Sequence, residues 1–430
     1  MGKFFFETYG CQMNKAESAA IQSKMRNLGW TPAERAEEAD MVVLHTCSVR
    51  QSAENRIWGR IGRFTALKKS HNFTLAVIGC MAERLKDEIK QRAPAVDLVL
   101  GNYEKLDVGR YLNGENSHCS FLRSYPHSLS FACPENFRAF IPIMHGCSNY
   151  CSYCIVPHVR GVEVSRPAEE IIAELKDVEA GEVREVTLLG QNVNSYAGEY
   201  RGKVLTFVNL LELVLKETSH IPWFRFLTSH PKDFTDELIS CIKDNRRLCS
   251  NVHLPLQHGS DRILSRMNRG YTFGRYKERV DRLREEVPDV TVSTDILIGF
   301  PGETEEDFKD TITALETMQF DDAFTYKYNI RKGTKAAEME GQLGEETKQQ
   351  RLANIIEIQR KIVENTKRRR AFGTQTVLVE QISKKNGEEL LGRNEYNDMV
   401  VFRGEKSLIG KMVKIKITGF TGTTCKGELL

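Results

Sequence analysis

Three cysteines inside eight residues constrain this chain more than any other feature. The stretch IMHGCSNYCSYCIVP, residues 143–157, places Cys147, Cys151 and Cys154 in a C-x3-C-x2-C array. Thiolates at that spacing hold metal, but a structural zinc site needs four protein ligands. Cys151–Cys154 is the sole C-x-x-C in the chain, and the next cysteine downstream, Cys241, falls on an expected helix. A zinc ribbon would lack its second knuckle, and a ferredoxin-like run of four cysteines is absent as well. A [4Fe–4S] cluster on three thiolates fits better, with one iron open to a small molecule. Structural zinc stays the alternative.

A chain of 430 residues calls for two or three domains. Its 40% hydrophobic and 28% charged residues are those of a soluble globular protein. The N-terminus MGKFFFETYGCQMN has too short an apolar run for a signal peptide and lacks the Ser or Thr of a myristoylation motif. No stretch approaches the 18 apolar residues of a membrane span. A cytoplasmic chain is expected, and there 11 cysteines point to metal or catalysis rather than disulfides. Net charge is +3, unevenly spread: Lys367–Leu430 carries 13 Lys/Arg against 7 Asp/Glu, hence +6, leaving −3 elsewhere. A basic terminal module suits a nucleic acid, and equally a solvated charged surface.

Hydrophobic runs organise the chain. KFFFETYG, DMVVLHTC, FTLAVIGC and AVDLVLGN read as buried strands, with helices between them, the first from Asn14 to Leu28 and a second with Ile57, Ile61, Phe64 and Leu67 on one face. That is an open parallel α/β sheet over residues 1–110, covered on both faces. Residues 111–136, rich in Ser, Asn and Pro, read as a linker. From 137 to 340 a second series alternates six strands, FRAFIPIMHG, REVTLLGQN, WFRFLTS, NVHLPLQH, VTVSTDILIGF and DDAFTYKYN, with amphipathic helices. Six βα units predict an incomplete (β/α)6 barrel with its chemistry at the C-terminal strand ends, where the 147–154 array falls. Residues 341–370 read as a charge-laced connecting helix, and 371–430 as short strands of a small β-barrel, an architecture that often binds oligonucleotides.

Cys11, Cys47 and Cys80 lie 36 and 33 residues apart, unrelated by local spacing. Yet each ends an expected parallel strand: ETYGC, LHTC, VIGC. Ligands of open α/β sheets bind outside the carboxyl ends of the strands, so three strand-end cysteines converge on one point. Read singly, each is an ordinary buried small residue. Three at equivalent positions favour a second cluster.

The C-x3-C-x2-C array, with Tyr153 before its last cysteine, resembles that of the radical S-adenosylmethionine (SAM) enzymes. Together with ETYGCQMN, TCSVRQSAENR, VIGCMAER, GCSNYCSYCIVPHVRGVEVSRP, LLGQNVNSY, FRFLTSHP, HLPLQHGSDRILSRMNRGYT and TDILIGFPGETEEDF, it resembles the radical-SAM methylthiotransferases from residue 5 to beyond 330. The terminal β module resembles the TRAM domain. HLPLQHGSD…MNRGYT and ETYGCQMN are most similar to the branch acting on isopentenyl-adenosine in tRNA, known as MiaB. Two departures stand out: His45 where that branch usually has Asn, and YKYNIRKGTKAA at 326–337 where a Ser and a Pro-rich turn are more usual.

The resemblance implies an enzyme with two [4Fe–4S] clusters and SAM. Cys147, Cys151 and Cys154 would hold the cluster that binds SAM and yields a 5′-deoxyadenosyl radical. Cys11, Cys47 and Cys80 would hold an auxiliary cluster carrying the transferred sulfur. The expected reaction places a methylthio group at C2 of N6-isopentenyladenosine at position 37 of tRNA, consuming two SAM. Threonylcarbamoyl-adenosine or a ribosomal-protein aspartate are the alternative substrates, and a non-catalytic electron carrier a further one. Expected partners are the tRNA anticodon stem-loop, an external electron donor and a sulfur or iron–sulfur carrier protein, with the chain itself a monomer. Candidate SAM contacts are Tyr153, Gly190, Gln191 and Asn192 at the second strand end, Ser229 at the third, and Gly299 and Gly302 in GFPGE, where a turn before a capped helix is the alternative. His230 and His258 read as structural histidines, and Cys119, Cys133, Cys241, Cys249 and Cys425 as free thiols.

Overall fold

The fold is described from a computed structural model, over residues 2–48, 51–105, 108, 111, 137–370, 373–384 and 387–430. The expected linker, with Cys119 and Cys133, lies outside the described residues. The chain divides into two compact units. One comprises Met1–Pro134, Ala139–Ser148 and Ile155–Glu174; the other comprises Glu135–Arg138, Asn149–Cys154 and Leu175–Leu430. No described helix is long and apolar enough to cross a membrane.

In the first unit, β1 (Lys3–Thr8), β2 (Thr31–Pro32), β3 (Met41–Thr46), β4 (Thr74–Gly79) and β5 (Leu98–Leu100) form one parallel sheet in the order β2-β1-β3-β4-β5. All six residues of β3 are buried, as its unbroken apolar run requires of a strand covered on both faces. Ile57, Ile61 and Phe64 of the Gln51–Leu67 helix pack against Val42, Leu44, Leu75 and Val77. The two-residue β2 is too short to leave a periodic signal, and its Pro32 is tolerated because the strand is an edge. The single helix expected after β4 is two, Cys80–Arg84 and Lys86–Arg92, broken at Leu85, whose side chain turns onto the core.

The second strand series contains all six expected strands, at Arg138–Pro142, Glu185–Leu189, Trp223–Leu227, Asn251–His253, Thr291–Ile298 and Asp322–Lys327. Within the second unit, Trp223–Leu227 lies parallel to Glu185–Leu189, and Thr291–Ile298 lies parallel to both Asn251–His253 and Asp322–Lys327. The fourth strand is shorter than NVHLPLQH suggests because Pro255 has no N–H to donate. The chain still follows its neighbour: Leu256 N–H donates to Thr294 Oγ1 and Gln257 N–H to the Asp295 carbonyl.

The Glu345–Arg370 helix runs from the strand series to the terminal module. Arg351 donates to Glu303 at 2.6 Å, and Lys367 pairs with Asp398 at 3.1 Å. The module is a closed five-stranded barrel of Gly373–Ile382, Glu389–Asn394, Met399–Arg403, Met412–Thr421 and Thr424–Leu429. Val377, Val379, Leu390, Val400, Phe402, Ile415 and Ile417 fill it, and closure leaves no free edge. Trp223, Cys249 and Leu378 form a small buried cluster with Phe137 and Met412 against it.

Arg225 fixes this module to the third strand. Its Nε donates to Glu185 Oε2 at 2.7 Å, while Nη2 and Nη1 donate to the carbonyls of Asn394 (2.7 Å) and Glu395 (3.0 Å). Truncating a buried charge leaves its partners desolvated and unpaired. Arg225→Ala is expected to lower stability by about 3 kcal/mol, seen as a lower thermal midpoint and as faster proteolytic release of residues beyond 373. An unchanged midpoint would contradict this anchoring role.

Candidate metal centres

Parallel pairing brings the ends of β1, β3 and β4 side by side, with Thr8 opposite His45 and Thr46 opposite Gly79. Cys11 caps the Gln12–Asn27 helix, Cys47 follows β3, and Cys80 opens the Cys80–Arg84 helix. Cys11 is exposed, whereas Cys47 and Cys80 are buried. Side chains fix these ends. Asn14 Nδ2 donates to the carbonyls of Tyr9 and Thr46, both at 2.9 Å. Thr46 Oγ1 accepts from Met81 N–H at 3.2 Å, holding the start of the helix that carries Cys80. Gly10 takes φ +131°, and a Cβ there would stand 2.9 Å from Cys47 Cβ. Gly79 takes φ +96°, with the His45 ring where its Cβ would go.

Behind the cysteines lies a buried group of charges. Glu17, Lys105 and Arg160 are each almost wholly buried. Lys105 Nζ meets Glu17 Oε2 at 2.7 Å, and Arg160 Nη1 meets Glu17 Oε1 at 2.8 Å. Asn102 joins this group to Cys80: its Oδ1 accepts from Lys105 at 2.9 Å, and its Nδ2 lies 3.4 Å from Cys80 Sγ. Arg160 Nη2 reaches Asn14 Oδ1 at 3.3 Å, and that oxygen lies 3.7 Å from Cys11 Sγ. Burial raises the Glu17 carboxyl, but Arg160 and Lys105 outweigh it and hold the group well below the usual carboxylate range. Burial opposes the Arg160 charge, and Cys80, Glu17 and Cys11 outweigh that too. His45 is pushed down to about 3 by burial and Lys105, and His145 falls well below its ordinary value through burial and Arg160, so both rings are neutral. His45 Nδ1 lies 2.8 Å from Ser18 Oγ, the polar contact made at the position where the related branch carries Asn.

The second array begins at Gly146, whose φ is +78° and whose added Cβ would stand 2.0 Å from the Val162 carbonyl. Any side chain there would displace Cys147, whose N–H donates to the Gly161 carbonyl at 3.1 Å. In the other unit, residues 149–154 are tied to 266–269. Ser152 N–H donates to the Met267 carbonyl at 3.0 Å, Ser152 Oγ to that of Arg266 at 2.9 Å, and Asn268 Nδ2 to those of Asn149 and Tyr150. Arg269, 5% exposed, places Nη1 3.3 Å from Cys151 Sγ and 3.5 Å from the Tyr153 hydroxyl. Its Nε donates to Tyr271 Oη at 2.9 Å, and no described carboxylate touches it. Tyr153 itself packs beside Ile263, Met267, Phe300 and Tyr328.

Gly190 and Thr228 exchange backbone hydrogen bonds with neighbours across the second and third strand ends, Gly190 N–H donating to the Leu227 carbonyl at 2.8 Å. This brings Gln191 and Asn192 next to Ser229 and His230. Here the buried Gln191 Oε1, Asn192 Oδ1, Asn194 Nδ2, Asn194 Oδ1, Ser229 Oγ and His230 Nε2 make no hydrogen bond. Buried polar atoms without partners are rare, and several together mark a place shaped for a polar ligand. His230 Nδ1 accepts from Lys232 N–H at 3.3 Å, and burial with the Arg269 and Lys232 charges keeps the ring neutral, so its proton sits on Nε2. The His230 ring stands edge-on to Tyr271, 5.7 Å away, linking this mouth to Arg269 and Cys151.

Gly299 and Gly302 are both closely packed against protein. A Cβ on Gly299 would strike Lys348, and Gly302 N–H donates to the Gly341 carbonyl at 2.7 Å. His258 accepts from Ser260 N–H at 3.0 Å and contacts Thr311, as a structural histidine does. Among the described residues no three of His, Cys, Asp and Glu stand close enough to hold a single metal ion. Sequence reasoning missed Glu17, Lys105, Asn102, Arg160 and Arg269. Arg160 and Arg269 lie in the motifs VPHVRG and MNRGYT, and Asn102 ends the strand run AVDLVLGN.

Comparison with known proteins bears on the whole chain. Residues 3–101 match the uncharacterized protein family UPF0004, residues 141–315 the radical SAM superfamily, and residues 368–430 the TRAM domain. The tRNA-2-methylthio-N(6)-dimethylallyladenosine synthase of Treponema denticola is 44% identical, with 99% of each chain aligned. That of Dictyoglomus thermophilum is 42% identical over 100% of this chain and 99% of its own. Among solved structures, the radical SAM methyltransferase TsrM from Kitasatospora setae, with cobalamin and a [4Fe–4S] cluster bound, matches with a TM-score of 0.59. It is 12% identical and spans 78% of this chain and 76% of its own, a likeness of fold alone. With more than two-fifths of its residues shared over essentially full length, the chain belongs to the family of tRNA-2-methylthio-N(6)-dimethylallyladenosine synthases, within the radical SAM enzymes.

Proposed function

We propose that the chain inserts a methylthio group at C2 of N6-isopentenyladenosine at position 37 of tRNA, in place of hydrogen. The observation that carries this reading is the pairing of two tricysteine sets, one at the strand ends of the first sheet and one on the stretch that follows the first strand of the second series, in a chain ending in a TRAM barrel. Cys147, Cys151 and Cys154 would hold one [4Fe–4S] cluster, and Cys11, Cys47 and Cys80 the other. When bound, the clusters and SAM supply a radical able to attack an unactivated C–H bond, a methyl group and a sulfur carrier.

The chain's own residues position and neutralise. Arg269 lies against Cys151 and Tyr153 and brings a buried positive charge to the SAM-binding array. His230 Nε2–H and the Asn194 amide offer donors suited to a carboxylate, and Gln191 Oε1 and Asn192 Oδ1 offer acceptors suited to an ammonium group. Those are the two ends of the methionine portion of SAM. On the TRAM barrel, Lys414, Lys416 and Lys426 stand exposed on adjacent antiparallel strands. Such a row suits phosphates of an anticodon stem-loop, whose single-stranded loop lets a base be splayed out at low cost. An external electron donor is required, and a sulfur or iron–sulfur carrier is a natural supplier.

Anaerobically reconstituted protein should carry about eight irons per chain, and about four when either cysteine set is replaced by alanine. With isopentenylated anticodon stem-loop, SAM and a strong reductant, it should release 5′-deoxyadenosine and yield the 2-methylthio nucleoside by mass spectrometry. No 5′-deoxyadenosine would remove the radical reading. Radical cleavage with unmodified RNA would remove the substrate.

Asn192→Ala and Ser229→Ala should each weaken SAM binding about tenfold with iron content unchanged, the size of one polar contact to a charged group; calorimetry on the reconstituted protein checks this. Replacing Lys414, Lys416 and Lys426 together by alanine should weaken stem-loop binding and flatten its dependence on salt, read from affinities at several salt concentrations, while leaving SAM cleavage intact. An unchanged salt slope would place the RNA elsewhere.

A further inference from the structure

The buried charges behind the strand-end cysteines do not balance among themselves. Lys105 and Arg160 share one carboxylate, Glu17, and no other described acidic group pairs with either. A surplus positive charge out of water is costly unless something negative faces it. What faces it is sulfur: Asn102 bridges Lys105 to Cys80, and Asn14 bridges Arg160 to Cys11. A guanidinium cannot shed its proton to relieve the imbalance, as a buried lysine can. The arrangement is also over-determined. Arg160 spans Glu17 and Asn14 with both terminal nitrogens, its carbonyl accepts from Tyr103 at 3.0 Å, and Asn102 Nδ2 donates to the Val159 carbonyl at 2.7 Å.

We infer that Arg160, joined by Lys105, is a positioning residue that supplies a fixed counter-charge to the cluster on Cys11, Cys47 and Cys80 and favours anionic sulfur at its open iron. This rests on the proposed assignment of those three cysteines. Three thiolates outweigh the charge of an oxidised four-iron cubane, so the assembly is already negative. Hydrosulfide would form one iron–sulfur bond with no change of oxidation state and make it more negative still. In low dielectric that step is unfavourable without a cation nearby, and a cation placed behind the cysteines leaves the open iron free to react. The same charge favours the reduced cluster over the oxidised one.

The test uses full-length protein carrying Cys147→Ala, Cys151→Ala and Cys154→Ala, so that only the auxiliary cluster remains. Sodium hydrosulfide binding and the midpoint potential are followed by electron paramagnetic resonance. Arg160→Gln and Lys105→Met are expected to weaken hydrosulfide binding about tenfold and to move the midpoint to more negative values. Arg160→Lys should stay within about twofold of the parent. Glu17→Gln, which removes the one negative charge, should move both quantities the opposite way. A residue needed only for packing would not produce opposite signs. Shifts of one sign in all variants, or none with about four irons retained, would overturn the inference. If Arg160→Gln loses its iron, the opposed signs of Lys105→Met and Glu17→Gln carry the decision. An iron-free parent would refute the cysteine assignment and the counter-charge with it. The expected signs here, with no 2-methylthio nucleoside formed by the protein that retains both cysteine sets, would refute only the substrate.

Discussion

The register of three parallel strands governs the first unit. Because β1, β3 and β4 pair in parallel, their carboxyl ends fall on one edge, and residues remote in sequence become neighbours. Side chains alternate across a strand, so slipping β3 by one position would move His45 to the opposite face and carry Cys47 away from Cys11. Asn14 and Thr46 lock this register at the point where it matters, by hydrogen bonds that join the strand ends to each other and to the next helix. Gly10 and Gly79 are the price of that closeness, since neither position has room for a Cβ.

The two tricysteine sets differ in how they are made. Cys147, Cys151 and Cys154 lie within eight residues of sequence, with Gly146 shaping the start of that stretch and Ser152 tying its later part to Arg266. Cys11, Cys47 and Cys80 come from three βα units and depend on the whole sheet. Each set has a buried arginine beside it, Arg160 for the one and Arg269 for the other. In neither case does a carboxylate alone cancel the guanidinium. On the proposed assignment, sulfur anions would offer the missing charge, which would tie the electrostatics of the first unit to iron and sulfide.

Much of this was legible in the sequence because it rests on short-range patterns. The apolar runs of β1, β3 and β4, the helical spacing of Ile57, Ile61 and Phe64, and the C-x3-C-x2-C array announce themselves within a few residues. So do the six strands of the second series and the alternation that closes the terminal barrel. The two-residue β2 and the break at Leu85 carry no such period. The charge group was invisible for a different reason. Glu17 lies 88 residues from Lys105 and 143 from Arg160, and nothing local says that a lone acid in one helix will meet them. His45 shows the same limit: the departure from the related branch was readable, but its contact with Ser18 was not. The orphaned atoms of Gln191, Asn192, Asn194, Ser229 and His230 are legible only once two strand ends are seen side by side.

Arg225 has a further consequence. It grips the terminal barrel from the strand that leads directly to Ser229 and His230. The exposed lysines and the orphaned polar mouth therefore belong to one compact unit, tied together through Arg225. For an RNA held at its backbone by those lysines, the unit acts as a caliper. On the proposed function, it would select a nucleotide by its reach along the loop.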